Sequence, residues 1–449
     1  MAASANHVDT LIHAGWIVTV NAAREVLTLH SLAITDGRIS HILPTEQARQ
    51  SLQADNVIEV PEQVIMPGLI NMHGHAAMSL FRGMGDDLPL MTWLQEHIWP
   101  AEGRFVSPEF VRDGTELAIA EMLRCGTTYY ADNYFFPEDT IDVIRQSGIR
   151  SQLCFPILDF PTNWGDGPDT FLRKGLALAS ELKGDDQIMV SLGPHAPYTV
   201  SDEPFRKIIA ASEQHDLLIQ MHVHETRTEV EDSERDRGQR PIARLRELGL
   251  LRPEMQCVHM AVLNEDDIRM VADSGATVVH CPESNLKLAS GFCPVHALQE
   301  AGVNVTLGTD GAASNNDLDM LGELRTAAQL AKAVSGNAEA LPAHAALETA
   351  TINAARALRQ QDRLGSLEVG KQADVITVDF TGLESQPVYD PVSHLVYATS
   401  RDQVCHVWVN GRQVLRDRQL ATLDSDAIVA RTREWQKRIV AGQAEAAQS

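Results

Sequence analysis

Asn264-Glu265-Asp266-Asp267-Ile268-Arg269-Met270-Val271-Ala272-Asp273-Ser274-Gly275-Ala276-Thr277-Val278-Val279-His280 holds one complete structural unit. Asn264 is a natural N-cap with Asp267 three residues on, and Gly275 can take the left-handed conformation that ends a helix. Ala276 to His280 then reads as a short strand. Outward from this unit, from about Ile65 to Leu364, short apolar segments alternate with longer helical patterns, as in repeated βα units around a parallel sheet. Strands are expected at Leu69 to Met72, Thr128 to Ala131, Ser151 to Phe155, Met189 to Leu192, Leu218 to His222, Gln256 to Val258, Thr277 to Val279 and Asn304 to Leu307. Eight such strands make an α/β fold of the (β/α)8 TIM-barrel type.

The flanks have a different texture. Between Val8 and Val60, β-rich runs such as Trp16 to Val20 and Leu32 to Ile34 are separated by turn residues that include Asp36-Gly37. The pattern returns in Ala373 to Asp379 and in Cys405 to Val409, which precedes Asn410-Gly411. The expected organisation is a small β-sandwich domain from residues 1–64 and 365–423, a barrel from 65–364, and a C-terminal helix from 424–449 carrying Trp435.

Composition excludes several partners. Of 449 residues, 44% are hydrophobic and 22% charged, enough apolar side chain for a large core. A formal charge of -24 repels phosphate backbones and anionic membranes, so no nucleic acid or membrane partner is expected. A small neutral or cationic ligand is admitted more easily. The six cysteines contain no CxxC pair, which suits reduced thiols and a cytoplasmic protein. Met1 to His7 lacks a basic start before an apolar run, and no apolar stretch of about 18 residues occurs. A homo-oligomer is left open.

The chemistry-bearing residues gather at one end of the expected strands. His73 and His75, His195, His222 with Glu225, His259, and Asp310 all stand at C-terminal strand ends, where barrel active sites lie. In His73-Gly74-His75 the strand period of two turns both imidazoles toward the barrel axis. His222-Val223-His224-Glu225 offers two same-face histidines, and alternation leaves either as a metal ligand. Asp310 sits in Leu307-Gly308-Thr309-Asp310-Gly311, where the glycines allow a sharp exit from the last strand. Three imidazoles and a carboxylate suit Zn²⁺ and also accommodate Fe²⁺ or Mn²⁺. With a position open for water, such an ion lowers the water's pKa from about 15.7 towards about 7 and makes hydroxide available. Expelling a poor leaving group such as ammonia also needs a proton donor, the role expected of Glu225. His259 is placed to orient the water and stabilise the developing anion.

Four stretches then bear on family: Met66-Pro67-Gly68-Leu69-Ile70 leading to His73-Gly74-His75, Gly193-Pro194-His195-Ala196-Pro197-Tyr198, Pro282-Glu283-Ser284-Asn285-Leu286-Lys287-Leu288, and Leu307-Gly308-Thr309-Asp310-Gly311 running on to Asn316. With these the chain resembles the amidohydrolase superfamily, and closely its 5-methylthioadenosine/S-adenosylhomocysteine deaminase branch. The resemblance implies metal ligands at His73, His75, His222 and Asp310, a proton shuttle at Glu225, and His259 holding the hydrolytic water with Asp310 accepting its proton. It further implies that His195 hydrogen-bonds the purine, that Glu102 binds the ribose hydroxyls, and that Trp93 and Leu94 wall the pocket. Binuclear relatives need a modified lysine after the fourth strand; Ser191-Leu192-Gly193-Pro194-His195 has none, so one metal per chain is expected.

The implied reaction is hydrolytic deamination of an adenine nucleoside to the inosine analogue and ammonia. Some members grip the homocysteine carboxylate with arginines after the third strand. Residues Phe155 to Asp169 contain no Arg or Lys but include Phe155, Phe160 and Trp164, which favours 5′-methylthioadenosine over S-adenosylhomocysteine, with adenosine also admitted. Arg82 is the cation considered as a substitute. Two readings compete: a guanine deaminase or triazine chlorohydrolase using the same site, in which Glu102 would have little use, and a non-catalytic scaffold of the same fold. The scaffold reading is disfavoured because every metal and proton-transfer position holds a competent residue.

Overall fold

The computed structural model describes residues 6–446, so the ends of the first and last expected segments, 1–5 and 447–449, lie outside the described residues. The eight barrel strands are β1 Leu69–Asn71, β2 Thr127–Asp132, β3 Arg150–Ile157, β4 Ile188–Pro194, β5 Ile219–Val223, β6 Met255–His259, β7 Thr277–His280 and β8 Val305–Leu307. They are hydrogen-bonded in chain order, all parallel. The ring is completed beyond the ladders, where Met72 N–H donates to Leu307 O at 2.9 Å and Asp310 N–H to His73 O at 3.0 Å. Every expected barrel strand is present, with no end moved by more than two residues.

The opening unit forms as its residues predict. Asn264 and Asp267 make both halves of a capping box on helix Glu265–Ser274, and Gly275 closes it at φ 72°. Elsewhere the core is set by close approach. A Cβ on Gly175, in helix Pro168–Glu181, would stand 2.2 Å from the Phe155 ring, so glycine lets that helix lie directly on β3.

The terminal segments meet in one mixed sheet. Gln53–Pro67 is its seam, parallel to His7–Val18 and antiparallel to Val375–Asp379, and it runs through Gly68 straight into β1. The sheet wraps a core in which Ile12, Leu32 and Ile39 meet Val375 and Trp408. A buried bidentate pair joins it to the barrel: Arg150 Nε and Nη2 donate to the Asp374 carboxylate at 2.8 and 3.2 Å. Removing one partner would strand a buried charge, a loss of about 3 to 5 kcal/mol.

Between β1 and β2 the chain leaves the barrel to build a cap from Leu90–Trp93, a π turn at Leu94–Ile98, Trp99–Phe105 and Pro108–Arg124. Its apolar residues up to Val111 form a cluster of their own, while Ala118, Ile119, Met122 and Leu123 join the barrel core. Phe81, Trp93, Ile98 and Phe110 pack with Trp435 and Ile439 of the C-terminal helix Ser425–Ala446. Among the described residues no helix is long and apolar enough to cross a membrane, and all six cysteines are free thiols, five of them buried.

Candidate active site

His73, His75, His222 and Asp310 converge at the C-terminal mouth of the barrel. His73 Nε2 lies 3.2 Å from His222 Nε2 and 3.5 Å from Asp310 Oδ1, and His75 Nε2 lies 3.3 Å from the same oxygen. Each imidazole is turned by an acceptor behind it. His73 Nδ1–H donates to Gln220 Oε1 at 2.8 Å, His75 to Asn133 O at 2.7 Å, and His222 to His195 O at 2.6 Å. Gln220 is fixed in its turn, its amide donating to Met72 O and Gln256 Oε1, both at 2.9 Å. Gln256 donates to Ala357 O at 3.1 Å, and Gln152 joins the layer through Gln256 and Ser191.

With every Nδ1 carrying its proton, the Nε2 lone pairs face a common point. Two lone pairs opposed at 3.2 Å repel unless a cation lies between them, so the donor set fits a divalent metal. Burial, reinforced by neighbouring imidazoles, holds His75 below and His222 well below the usual histidine value, which keeps both neutral. Burial alone would raise Asp310, but His73, His75 and His259 outweigh it and keep the carboxylate ionised. Its Oδ2 accepts from Ser284 and Ser314 at 2.7 and 2.8 Å, and its Oδ1 from Gly311 N–H at 2.7 Å. Gly308 serves close approach rather than a turn, since a Cβ there would stand 2.6 Å from His73 N.

The structure separates the two histidines that alternation left equivalent. His224 has φ 53°, which rotates it out of strand register; it is fully buried, with Nδ1 against Val262 O at 2.9 Å and Nε2 accepting from Ile242 N–H at 3.0 Å. Only His222 reaches the cavity. His259 at φ 73° and Asp310 at φ 63° share the left-handed backbone, a strain that functional strand ends often carry.

Above these groups a cavity of about 530 Å³ is lined by His75, His222, His259, Asp310, Glu225, His195, Glu102, Trp93 and Leu94 among others. Every predicted site residue therefore borders it except His73, which lies beneath. Burial, with Asp310 nearby, raises Glu225 to about 8, so at neutral pH it holds a proton. Glu229 accepts the Glu225 N–H at 2.8 Å and the His224 N–H at 3.0 Å, fixing that turn. His259 Nε2 is 3.9 Å from Glu225 Oε2, and its Nδ1–H donates to Asn285 at 2.9 Å. Burial drives His195 down to about 3; its Nδ1 is held by Thr199 at 2.9 Å. Glu102, raised to about 7 by burial, accepts from Tyr134 O–H at 2.8 Å.

Two sequence expectations are corrected. Of the three aromatics expected to face a methylthio group, only Phe160 lines the cavity. Phe155, within β3, faces the helical layer under Gly175, and Trp164, in the segment after β3, stacks on Phe171 with its Nε1–H on Glu138. Arg82 does not reach the cavity either; it pairs with Glu121 and donates to Asn316 O. No Arg or Lys borders the cavity among the described residues. Gln220, Asn133, Tyr134, Ser314 and Asn163 were not singled out from sequence. Gln220 alone left a signal, standing two residues before His222 on the same strand face.

A closed parallel barrel with a histidine and carboxylate cluster at its mouth defines a metal-dependent hydrolase, and the chain belongs to the amidohydrolase family, whose model matches residues 64–414. Within that family it falls in the 5-methylthioadenosine/S-adenosylhomocysteine deaminase branch. It is 50% identical over 436 residues to the enzyme of that name from Saccharophagus degradans, covering 97% of this chain and 98% of the relative. The crystal structure of an adenosine deaminase from Xanthomonas campestris with bound zinc has a TM-score of 0.95 and 48% identity, covering 97% of this chain and 99% of that one. An atrazine chlorohydrolase from Arthrobacter aurescens shares the fold at TM-score 0.88 and 23% identity, with 95% and 99% covered.

Proposed function

We propose that this protein hydrolytically deaminates an adenine nucleoside, with 5′-methylthioadenosine preferred, and adenosine and S-adenosylhomocysteine as further substrates. The carrying observation is that one cavity joins the histidine–aspartate cluster to a protonated acid, Glu225, and to a carboxylate, Glu102, set apart from the reacting end. A bare purine or triazine has no hydroxyls for Glu102. The cation-free lining favours a methylthio tail over an ionised amino-acid tail.

In this reading one divalent cation, zinc by its donor set, would be held by His73, His75, His222 and Asp310, where it would acidify a water towards a pKa of about 7. Asp310 takes the water's proton while His259 orients the attacking oxygen. Glu225 gives its proton to N1 of the ring as the oxygen bonds to C6. The C6–N bond then breaks, ammonia leaves with the proton held by Asp310, and the new C6 hydroxyl returns a proton to Glu225. His195 hydrogen-bonds the purine, Trp93 and Leu94 form the wall, and Glu102 binds the ribose. We further propose the division into residues 1–64 with 365–423, 65–364 and 424–449, and a cytoplasmic location.

Ammonia release from the metal-loaded protein with adenosine, methylthioadenosine, S-adenosylhomocysteine, guanine and a triazine tests the reading. Methylthioadenosine should lead in kcat/KM; turnover of guanine or triazine alone would overturn it. Elemental analysis should give one metal per chain, and His73→Ala should lose both metal and rate.

A further inference from the structure

Glu102 is anchored from two directions by residues outside its own helix. At its carboxylate, the Tyr134 hydroxyl donates to Oε1 at 2.8 Å. Tyr134 is 5% exposed, and burial together with Glu102 keeps its phenol protonated, so the hydroxyl is the donor. At its backbone, Asn163 Nδ2 donates to the carbonyls of Glu102 and Gly103, both at 3.2 Å, and of Val106 at 2.9 Å. The three carbonyls cluster at the C-terminal turn of helix Trp99–Phe105, where Glu102 O also accepts from Val106 N–H at 3.0 Å. Asn133-Tyr134 follows β2 and Asn163 lies beyond β3, so two barrel strands fix the position of one cap carboxylate.

The same dipeptide serves the opposite end of the cavity. The Asn133 carbonyl orients His75 at 2.7 Å, and the Tyr134 ring stands 6.3 Å from the His75 ring, centroid to centroid. A glutamate has three side-chain torsions, and immobilising it during binding would cost affinity. With Oε1 held by Tyr134, that cost is met before the ligand arrives and Oε2 is left for the ligand.

We infer that Tyr134 is a positioning residue for nucleoside recognition: its hydroxyl holds Glu102 so that the free carboxylate oxygen meets the ribose diol, with Asn163 fixing the helix that carries it. This rests on the ribose reading of Glu102, and the experiment separates the two. Steady-state kinetics would compare adenosine with 2′,3′-dideoxyadenosine for wild type, Tyr134→Phe, Glu102→Ala, the double variant and Asn163→Ala. Tyr134→Phe should raise KM for adenosine about tenfold, the worth of one charge-assisted hydrogen bond, with kcat and the dideoxy substrate changed by less than about twofold. In the Glu102→Ala background the same change should add nothing. Asn163→Ala should raise KM for adenosine selectively as well. Equal losses on both substrates from Tyr134→Phe, or losses additive with Glu102→Ala, would overturn the inference while the ribose reading stands. A Glu102→Ala variant that loses catalytic efficiency by the same factor on both substrates, keeping the wild-type preference between them, would overturn the ribose reading and this inference with it.

Discussion

The floor and the wall of the cavity are built by different means. The floor stands on strand ends: His73 and Asp310 follow β1 and β8, His222 lies near the end of β5 and His259 ends β6, and the backbone ladder fixes where each stands. The wall stands on the cap, a chain of short helices from Leu90 to Phe105 whose apolar cluster is separate from the barrel core and is completed by Trp435 and Ile439. Floor residues are placed by neighbours in a periodic sheet, whereas wall residues are placed by contacts that span much of the chain. Chemistry should therefore depend on the floor, and substrate choice on the wall.

The sharpest way to break this contrast is Glu225→Gln. The amide is nearly isosteric but cannot relay a proton, so kcat should fall by about 10²- to 10⁴-fold while metal content and substrate binding persist. A variant keeping more than roughly half of the wild-type kcat would remove Glu225 from the proton path. A smaller effect is expected from Gln220→Leu, which deprives His73 Nδ1 of its acceptor. Metal affinity, read by competition with a chelator, should drop about 10- to 100-fold. Trp435→Ala, made in the C-terminal helix that completes the cap's apolar cluster, should leave that affinity unchanged; an equal drop would mean that floor and wall are one unit.

The smallest effect is one of pH. Burial raises Glu102 from its ordinary value to about 7, so between about 4.5 and 7 the folded protein retains a proton that the unfolded chain has lost. The contribution of this group to stability therefore falls as pH rises through that window and levels off above about 7. Ribose hydroxyls donate best to the ionised form, so KM for a nucleoside should fall as pH rises through about 7, while KM for 2′,3′-dideoxyadenosine stays flat. A flat nucleoside profile would detach the pH response from the wall.

How much was legible in sequence follows the same division. The strand-end residues were readable because period-two alternation and capping residues are local signals, and Asn264 with Asp267 gave one helix its start. Alternation failed at His224, where φ 53° takes the chain out of the strand conformation on which the rule rests. Phe155 was misplaced because a strand buried on both faces gives alternation nothing to choose between, and Trp164 because an aromatic in a loop carries no mark of the face it will take. Tyr134 and Asn163 left no local signal: their partners lie 32 and 57 to 61 positions away, and only the fold brings them to helix Trp99–Phe105. The glutamine below His73 had a signal in its spacing from His222, but an amide facing inward is ordinarily read as packing.

That glutamine layer has a direction. The Ala357 carbonyl accepts from the Gln256 amide, the Gln256 carbonyl accepts from Gln220, and the Gln220 carbonyl accepts from His73 Nδ1–H. Each member can point only one way once the one below it is set, so the choice runs upward from a single main-chain oxygen. Reversing Gln256 would set its NH₂ against that of Gln220, and reversing Gln220 would set its NH₂ against His73 Nδ1–H, donor to donor in each case. The lone pair that His73 presents is thus dictated from the opposite end of the barrel. No member of the line below His73 titrates, so its polarity stays the same at acid and alkaline pH alike.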